Sequence, residues 1–280
     1  MKGITQDQLI QKMVGREIRP VRKSSPIADP EKLLEVREIS LQNPLQPSEK
    51  IVHNISFQLA KGEILGIFGL MGAGRTELLE TIFGLHSAHS SGEVWIEGEN
   101  LGIPNTSQAI RAGMALVPED RKKDGLVLDL DVQTNISLTT LENLESWGLL
   151  NFQKEKELAK GYISQLQVKT SSAKQLVRNL SGGNQQKIVL AKWLATNPKM
   201  LMLDEPTRGI DIHAKNEIYR LILELAEKGL GILMVSSELP EILAVSDRVL
   251  VLSEGHLTAE FSSSEATEDR ILKASIPQTL

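Results

Sequence analysis

The chain has 280 residues, of which 41% are hydrophobic and 24% are charged, and its formal net charge is −5. This composition is ordinary for a globular protein with a sizeable core, and the lack of any cysteine excludes disulfides and thiolate catalysis and suits the cytosol. The acidic balance argues against a nucleic-acid partner. The sequence contains no run of about 18 apolar residues, so it predicts neither a membrane span nor a secretion signal.

The N-terminal stretch, residues 1–30, differs in character from the rest of the chain. Its second part, 18–30, is rich in proline, serine and charge without apolar periodicity, which predicts a linker. Its first part resembles the chain's own tail, because 5–11 and 267–273 share the order of polar and apolar positions. We interpret 1–30 as the end of a preceding homologous domain plus a linker. Chance similarity between two short amphipathic helices is the alternative.

Strands and helices alternate through residues 31–280, which we assign to one domain. The apolar run Ile64–Phe68 predicts a strand that enters a glycine-rich turn and then a helix. Later, apolar strands flank a helix predicted from about Ile212 to Lys228, and the last strands form a hairpin that turns at Glu254–Gly255. Strands separated by helices of this length predict parallel pairing in an α/β layer.

The middle of the chain has a different pattern. Helical spacing and strong charge dominate, without a convincing strand, so we predict a mostly helical subdomain over about 130–195. The strands near the start of the domain alternate with a period of two, at Ile55, Phe57 and Leu59, and Val94 and Ile96 alternate in the same way.

The glycine-rich turn matches the phosphate-binding pattern G-x-x-x-x-G-K-[ST] except that Arg75 replaces the lysine. Glycines let main-chain N–H groups approach a polyphosphate at a helix start, and Thr76 would offer its hydroxyl to Mg²⁺. A forked guanidinium cannot copy a compact ammonium group inside a closed loop, so we expect altered binding and poor turnover. The alternative is a glycine turn without a ligand. The residues expected to contact nucleotide here are Gly69, Leu70, Met71, Gly72, Ala73, Gly74, Arg75 and Thr76.

A second apolar run, Met200–Leu203, ends in the two carboxylates Asp204 and Glu205. Open α/β sheets bind ligands at the carboxyl ends of their strands. Asp204 would hold Mg²⁺ through water, and Glu205 would act as the general base toward the attacking water. A buried strand that ends in a solvated turn is the alternative.

A third motif is the signature segment, Leu180–Lys187, with the sequence LSGGNQQK. Ser181, Gly182 and Gly183 open a predicted helix, so free N–H groups and a hydroxyl would project from its first turn, and Gln185 is included as a further ligand. Two phosphate-binding helix starts far apart in one chain suggest two different nucleotides. A serine cap on an ordinary helix explains the serine but not the two glycines.

Together these motifs resemble the ATP-binding cassette ATPases over about residues 33–275. GLMGAGRTEL, VPEDRKKDGL, LSGGNQQK and VSSELPEI are similar to the second half of the double-cassette monosaccharide-importer ATPases, the ribose type most closely. The resemblance implies a P-loop cassette with a mixed sheet core, an antiparallel β subdomain and a helical subdomain. It also implies ATP and Mg²⁺ as ligands and a head-to-tail pair of cassettes, with Gly209–Asp211 crossing between them.

Within that resemblance, two carboxylates depart from the usual pattern. Glu119 stands where most cassettes have glutamine, and Glu238 stands where most have a histidine that senses the γ-phosphate. A carboxylate at the latter position repels phosphate. We therefore expect a slow site at this chain's own loop, while the signature segment completes the site of the partner cassette. No aromatic residue precedes Ile55 for stacking on adenine.

The partners implied by the resemblance are an N-terminal cassette of the same polypeptide, a transmembrane sugar permease and, indirectly, an external or periplasmic sugar-binding protein. The expected location is the cytoplasmic side of the membrane. A regulatory module without turnover and a non-transport cassette that clamps nucleic acid or ribosomes are the alternatives. The apolar residues expected to dock the permease, with core packing as the alternative role, are Leu126, Val127, Leu128, Val132 and Ile136.

Overall fold

The computed structural model describes residues 31–146 and 149–277. The predicted end of a preceding domain, 1–30, lies outside the described residues. The strands are β1 (Lys32–Asn43), β2 (Gln46–Ala60), β3 (Ile64–Gly69), β4 (Ser90–Ile96), β5 (Glu99–Asn100), β6 (Met114–Val117), β7 (Glu145–Ser146), β8 (Leu149–Leu150), β9 (Met200–Asp204), β10 (Gly231–Val235), β11 (Arg248–Ser253) and β12 (His256–Ser262). The α-helices are α1 (Arg75–Phe83), α2 (Thr106–Arg111), α3 (Val132–Ser137), α4 (Phe152–Gln165), α5 (Gly182–Leu194), α6 (Ile212–Glu227), α7 (Leu239–Val245) and α8 (Glu268–Ser275).

The central sheet has six strands in the order β12-β11-β3-β10-β9-β6. All neighbouring pairs are parallel except β11 and β12, which form an antiparallel hairpin. Strands β3, β9 and β10 are buried along their whole length, as continuous apolar runs covered on both faces should be. The parallel strands therefore present their carboxyl ends at one edge of this sheet.

A second, antiparallel sheet has the order β2-β1-β4-β5. Helix α1 packs against strands of both sheets, so the start of that helix is held at the junction of the two layers. The predicted α/β architecture, a mixed sheet core with an antiparallel β subdomain, is confirmed by this arrangement.

Local sequence chemistry explains where several elements begin and end. Asp211 caps α6 by accepting hydrogen bonds from the backbone N–H groups of His213 (3.1 Å) and Ala214 (3.0 Å). The β11–β12 hairpin turns at Glu254 and Gly255, which both have positive φ values (48° and 76°), as a type I′ turn requires. The turn predicted at these two residues and the start predicted for α6 are both observed.

Residues 130–195 contain the helices α3, α4 and α5, which pack on one another, and also the short hairpin of β7 and β8, which the sequence pattern did not indicate. Within the described residues, no helix combines the length and apolar character needed to cross a bilayer.

Candidate functional site

The glycine loop joins the end of β3 to the start of α1. Gly72 and Gly74 adopt left-handed conformations (φ 80° and 84°), which glycine enters without steric cost. A Cβ atom at Gly69 would lie 2.6 Å from the carbonyl oxygen of Leu252, so the loop has no space for a side chain there. Leu70 and Met71 are exposed. The loop therefore brings the predicted residues into one turn at a helix start.

Thr76 and Asp204 meet at the carboxyl edge of the central sheet. Strands β3 and β9 both flank β10, which explains how the helix that follows β3 comes near the end of β9. Burial raises the pKa of Asp204 to about 6, while a hydrogen bond from the Thr76 side chain and the charge of Arg75 oppose that rise. Asp204 is 2% exposed, and its Oδ1 has no hydrogen-bond partner.

These two residues fit a divalent cation. A hydroxyl and a carboxylate are the oxygen ligands that Mg²⁺ prefers, and the unpartnered Oδ1 leaves a buried acceptor free for it or for its water. Among the described residues there is no group of three or more His, Cys, Asp or Glu side chains that could hold a metal.

Arg75 and Glu205 form an ion pair inside the same site. The Nη2 atom of Arg75 lies 3.5 Å from Oε1 of Glu205, and the two side chains are only 13% and 11% exposed. The other carboxylate oxygen of Glu205 accepts a hydrogen bond from Ser237 Oγ (3.2 Å). Burial raises the pKa of Glu205, while the positive charge of Arg75 opposes that rise. The arginine that replaces the expected lysine is thus paired with the predicted general base.

Glu238 lies at the start of α7 and forms an ion pair with Lys215. The Nζ atom of Lys215 lies 2.5 Å from Oε1 of Glu238 and 2.8 Å from Oε1 of the buried Glu241. Glu241 also accepts hydrogen bonds from Thr207 and Ser236. One lysine thus offsets one of the two carboxylate charges, and the expectation that Glu238 repels phosphate stays a prediction. Sequence patterns do not reveal this pair, because Lys215 and Glu238 belong to different elements.

Glu119 is paired as well. Its carboxylate forms an ion pair with Arg208, a residue of the loop that follows Glu205. This pair places Glu119 beside the 208–211 loop.

The signature segment opens α5 at the protein surface. Ser181 is the N-cap residue and is exposed, and its Oγ accepts a hydrogen bond from the side chain of Asn184 (2.8 Å) rather than from the helix backbone. The first-turn N–H groups of α5 thus lack a side-chain cap. This helix start has the accessibility that a site facing another molecule requires.

Both glycines of the signature segment also have a packing role in the chain itself. A Cβ atom at Gly182 would lie 2.7 Å from Nη2 of Arg121, and one at Gly183 would lie 2.5 Å from Cβ of Ala214. Real Cβ atoms do not approach other atoms so closely, so larger residues would displace Arg121 or α6. The glycine pair therefore does not by itself require a ligand. Arg121 and Ala214 were missed by sequence reasoning because both lie far along the chain from the glycines.

Gln185 does not join the other signature residues. Its side chain is 4% exposed, and its Nε2 donates to the carbonyl oxygen of Val177 (3.2 Å) inside the helical subdomain. Position 185 lies on the inward face of α5 with Ile188 and Val189, both fully buried. We no longer assign Gln185 as a nucleotide ligand, because the phase of the helix directs it into the core.

The loop Gly209–Asp211 lies beside the signature segment of the same chain. A Cβ atom added at Gly182 would lie 3.3 Å from the carbonyl oxygen of Gly209. A Cβ atom added at Gly183 would lie 3.6 Å from a methyl group of Ile210. Two of the segments predicted to face a partner are therefore adjacent in space.

Three of the five residues predicted to dock a permease belong to the core. Leu126, Val132 and Ile136 are buried, whereas Val127 is exposed and Leu128 is partly buried. Val132 and Ile136 are buried because α3 packs against both α4 and α5 and most of its residues face the interior, and Leu126 belongs to the same hydrophobic core. Leu130, Leu141, Leu149 and Phe152 are exposed apolar side chains in the same part of the chain.

Two histidine rings that stack near the glycine loop were not predicted from the sequence. His53 and His256 stack with centroids 4.1 Å apart. The backbone N–H of His53 donates to the carbonyl of Gly255 (2.8 Å), and the N–H of Gly255 donates to the carbonyl of Ala73 in the loop (3.1 Å). Burial and the neighbouring His256 lower the pKa of His53.

Comparison with known proteins agrees with this geometry. The family model described as ABC transporter matches residues 52–208. The chain is 51% identical to the ribose import ATP-binding protein RbsA of Rhodopirellula baltica, over 98% of this chain and 54% of that protein. It is 50% identical to the xylose import ATP-binding protein XylG of Moorella thermoacetica, over 96% of this chain and 53% of that protein. The chain thus spans about half the length of the curated relatives it matches.

Solved structures are similar to this fold. A crystal structure of a nucleotide-free ATP-binding cassette from an ABC transporter superposes with a TM-score of 0.74 at 21% identity, over 88% of this chain and 100% of the other. Because the family match covers more than half of the chain, and the strands and the glycine loop follow the same architecture, this chain belongs to the ABC transporter family and has the fold of its ATP-binding cassettes.

Proposed function

We propose that this chain is an ATP-binding cassette that powers the import of a sugar through a membrane permease. The observation that carries the proposal is the meeting of Thr76, at the helix start behind the glycine loop, with Asp204 at the end of β9. A polyphosphate on the loop and a Mg²⁺ ion on these two oxygens would occupy one edge of the sheet. The names of the relatives, for ribose and xylose import, support a pentose as the class of sugar.

The residues of the loop have distinct roles in this proposal. The N–H groups of Gly72, Gly74 and Arg75 bind and orient the phosphates, and Thr76 and Asp204 hold Mg²⁺. When bound, Mg²⁺ neutralises charge on the transferred phosphoryl group. Glu205 accepts a proton from the attacking water, provided that its carboxylate is released from Arg75.

We infer that this chain's own site turns over slowly. The ion pair between Arg75 and Glu205 keeps the proposed base beside a cation, and an additional donor for the γ-phosphate is missing at Glu238. The loss of one preorganised transition-state contact costs about 2.7–4 kcal/mol, which is about a hundredfold to a thousandfold in rate. Arg75 nevertheless retains a positive charge for phosphate, so binding persists.

The signature segment serves a second site. We infer that Ser181 and the first-turn N–H groups of α5 complete the nucleotide site of a partner cassette whose loop carries a lysine. The accessibility of Ser181 and the adjacent loop Gly209–Asp211 support this role. A cassette in the same polypeptide is the proposed partner, since the relatives are about twice as long as the matched region.

The permease would bind the helical subdomain. Val127 remains a candidate for this contact, and the exposed apolar residues Leu130, Leu149 and Phe152 join it. This contact would hold the chain at the cytoplasmic face of the membrane, with an external sugar-binding protein acting through the permease. A regulatory module without turnover is the second candidate, and the pairing of Arg75 with Glu205 is the observation that favours it.

The experiment combines this chain with a partner cassette that carries a lysine in its loop, and follows phosphate release. Ser181→Ala should lower turnover about a hundredfold, because it removes a donor from the partner's site. Ser172→Ala, at another exposed serine of the same subdomain, is the matched control. Unchanged turnover in Ser181→Ala would contradict the signature role.

A second arm separates the transport ATPase from the regulatory module. The partner's general base is changed to glutamine, so that any remaining turnover belongs to the loop of this chain. Residual turnover that disappears in Glu205→Gln supports a slow catalytic site. A complete lack of turnover with retained ATP binding supports the regulatory module.

A further inference from the structure

We propose that Arg121 is a positioning residue, which fixes the signature segment and the 208–211 loop relative to each other and so sets the surface offered to a partner's nucleotide. The inference rests on the proposed function of that surface. In this inference Arg121 orients the two segments, whereas the glycine loop and the signature residues contact nucleotide.

The guanidinium of Arg121 holds two segments at once. Its Nη1 donates to the carbonyl oxygen of Arg208 (2.7 Å), and its Nη2 lies 3.5 Å from that of Gly209. The same Nη2 fills the space where Gly182 lacks a side chain. Arg121 therefore lies between the loop after Glu205 and the first residue of α5.

The second link to the loop is Glu119. Glu119 lies two residues before Arg121 and forms an ion pair with the side chain of Arg208, while Arg121 binds the backbone carbonyl of the same residue. Planar guanidinium groups fix several hydrogen bonds in one geometry, which a lysine cannot do. These contacts thus fix both the orientation of the 208–211 loop and its distance from Arg121.

Placing Arg121 between the two segments costs desolvation of its guanidinium, which a fully exposed arginine avoids. Arg121 is partly buried, its Nε has no hydrogen-bond partner, and burial lowers its pKa against the opposing charge of Asp120. A guanidinium in water would be fully solvated. Its placement against main-chain carbonyls is therefore specified by the packing of the two segments.

The turn that carries Arg121 is fixed at its other end by the same helix. Residues Arg121–Gly125 form a single π-helical turn. The Nζ atom of Lys192, on α5, donates to the carbonyl oxygen of Gly125 (2.5 Å), and a Cβ atom at Gly125 would lie 3.1 Å from Val189. The turn thus runs along α5, from near its first residue to its last turns.

The exposed apolar residues of the proposed docking surface begin directly after this turn. The side chain of the buried Asn135 binds both the N–H and the carbonyl of Val127, at 2.9 Å and 3.0 Å. Arg121 is therefore joined to the surface proposed for the permease by a short segment whose backbone is hydrogen-bonded to Lys192 and Asn135. A displacement there would reach the signature segment through this side chain.

The test compares Arg121→Ala, Arg121→Lys and Arg121→Gln. Arg178→Ala is the matched control, because Arg178 is an exposed arginine of the same subdomain that pairs with the exposed Asp129. Amide hydrogen exchange is measured on this whole chain. We expect Arg121→Ala to accelerate exchange about tenfold at Gln185, Arg208 and Ile210, whose amides are hydrogen-bonded at the start of α5 and in the loop, with a smaller effect in Arg121→Lys and none in Arg178→Ala.

A second readout uses the chain assembled with the lysine-containing partner cassette. Arg121→Ala should lower kcat about tenfold and leave KM for ATP within about twofold, because Arg121 orients the donors without binding the nucleotide itself. The lysine variant should recover part of kcat. Thermal unfolding of each variant establishes that the chain remains folded.

The outcomes separate this inference from the proposed function. Unchanged exchange and unchanged kcat in Arg121→Ala, with a loss of turnover in Ser181→Ala, would overturn the positioning role and leave the proposed function standing. If Ser181→Ala also had no effect, the proposed signature role would fail. The exchange measurement would then decide the positioning role by itself.

Discussion

The guanidinium of Arg75 lies 3.5 Å from the carboxylate of Glu205, and both side chains are almost completely shielded from solvent. One residue belongs to the start of α1 and the other follows β9, so the contact links the two elements that carry the proposed site. It joins the substituted position of the phosphate loop to the carboxylate that would activate water.

The first prediction concerns this pair. Arg75→Lys should raise the turnover at this chain's loop about tenfold, because release of Glu205 by about 1.4 kcal/mol corresponds to a tenfold change in rate. The measurement is phosphate release in the assembly whose partner base has been changed to glutamine. Adding Glu205→Gln to the lysine variant should abolish the gain. A lysine variant no faster than the parent would contradict the role of the pair.

A second prediction concerns the oxygen ligands. Thr76→Ala should weaken Mg²⁺-dependent ATP binding at least about tenfold, or ~1.4 kcal/mol, while Thr76→Ser should retain it because the hydroxyl remains. Titration calorimetry with Mg²⁺ and with EDTA distinguishes the metal-dependent part. Equal losses in both variants would show that the methyl group, not the hydroxyl, matters.

The packing of Gly183 leads to a third prediction. Gly183→Ala should lower the free energy of unfolding by about 1–3 kcal/mol, because the new methyl group would overlap Cβ of Ala214. Ala214→Gly in the same chain should restore part of that loss. Gly161→Ala is the control, since Gly161 lies in the middle of α4 with open space around it and should be neutral or stabilising. Chemical denaturation measures all four chains, and a neutral Gly183→Ala would show that α6 gives way freely.

A fourth prediction follows from the buried Lys192. Burial lowers its pKa to about 8 from an ordinary value of 10.5. Between these pH values the unfolded chain binds more protons than the folded chain, so the contribution of Lys192 to stability rises with pH, by about 3 kcal/mol over the whole window.

Lys192→Met tests this dependence. The methionine chain should lack that rise, so the difference in unfolding free energy between parent and variant should change steadily between about pH 8 and 10.5. The control is Lys160→Met, at an exposed lysine of α4. Parallel pH profiles for the parent and Lys192→Met would contradict the assignment.

The sequence by itself determined the elements that depend on local chemistry. The strand before the glycine loop, the start of α6 at Ile212 and the hairpin turn at Glu254–Gly255 were predicted from apolar periodicity and turn residues, and each is observed. Such features are local because main-chain conformation responds to the nearest side chains. The same patterns predict that the glycine loop and Asp204 lie at one edge of the sheet, because parallel strands have their carboxyl ends at the same edge.

Only the tertiary structure decided how distant charges and glycines are partnered. Arg121 and the carbonyl of Arg208 are 87 positions apart, and no pattern along the chain links them. The ion pairs of Arg75 with Glu205 and of Lys215 with Glu238 likewise depend on how elements pack. The same is true of the burial of Gln185, Val132 and Ile136. Packing selects one partner among many chemically equivalent residues, and that choice depends on three-dimensional distance, which sequence spacing does not record.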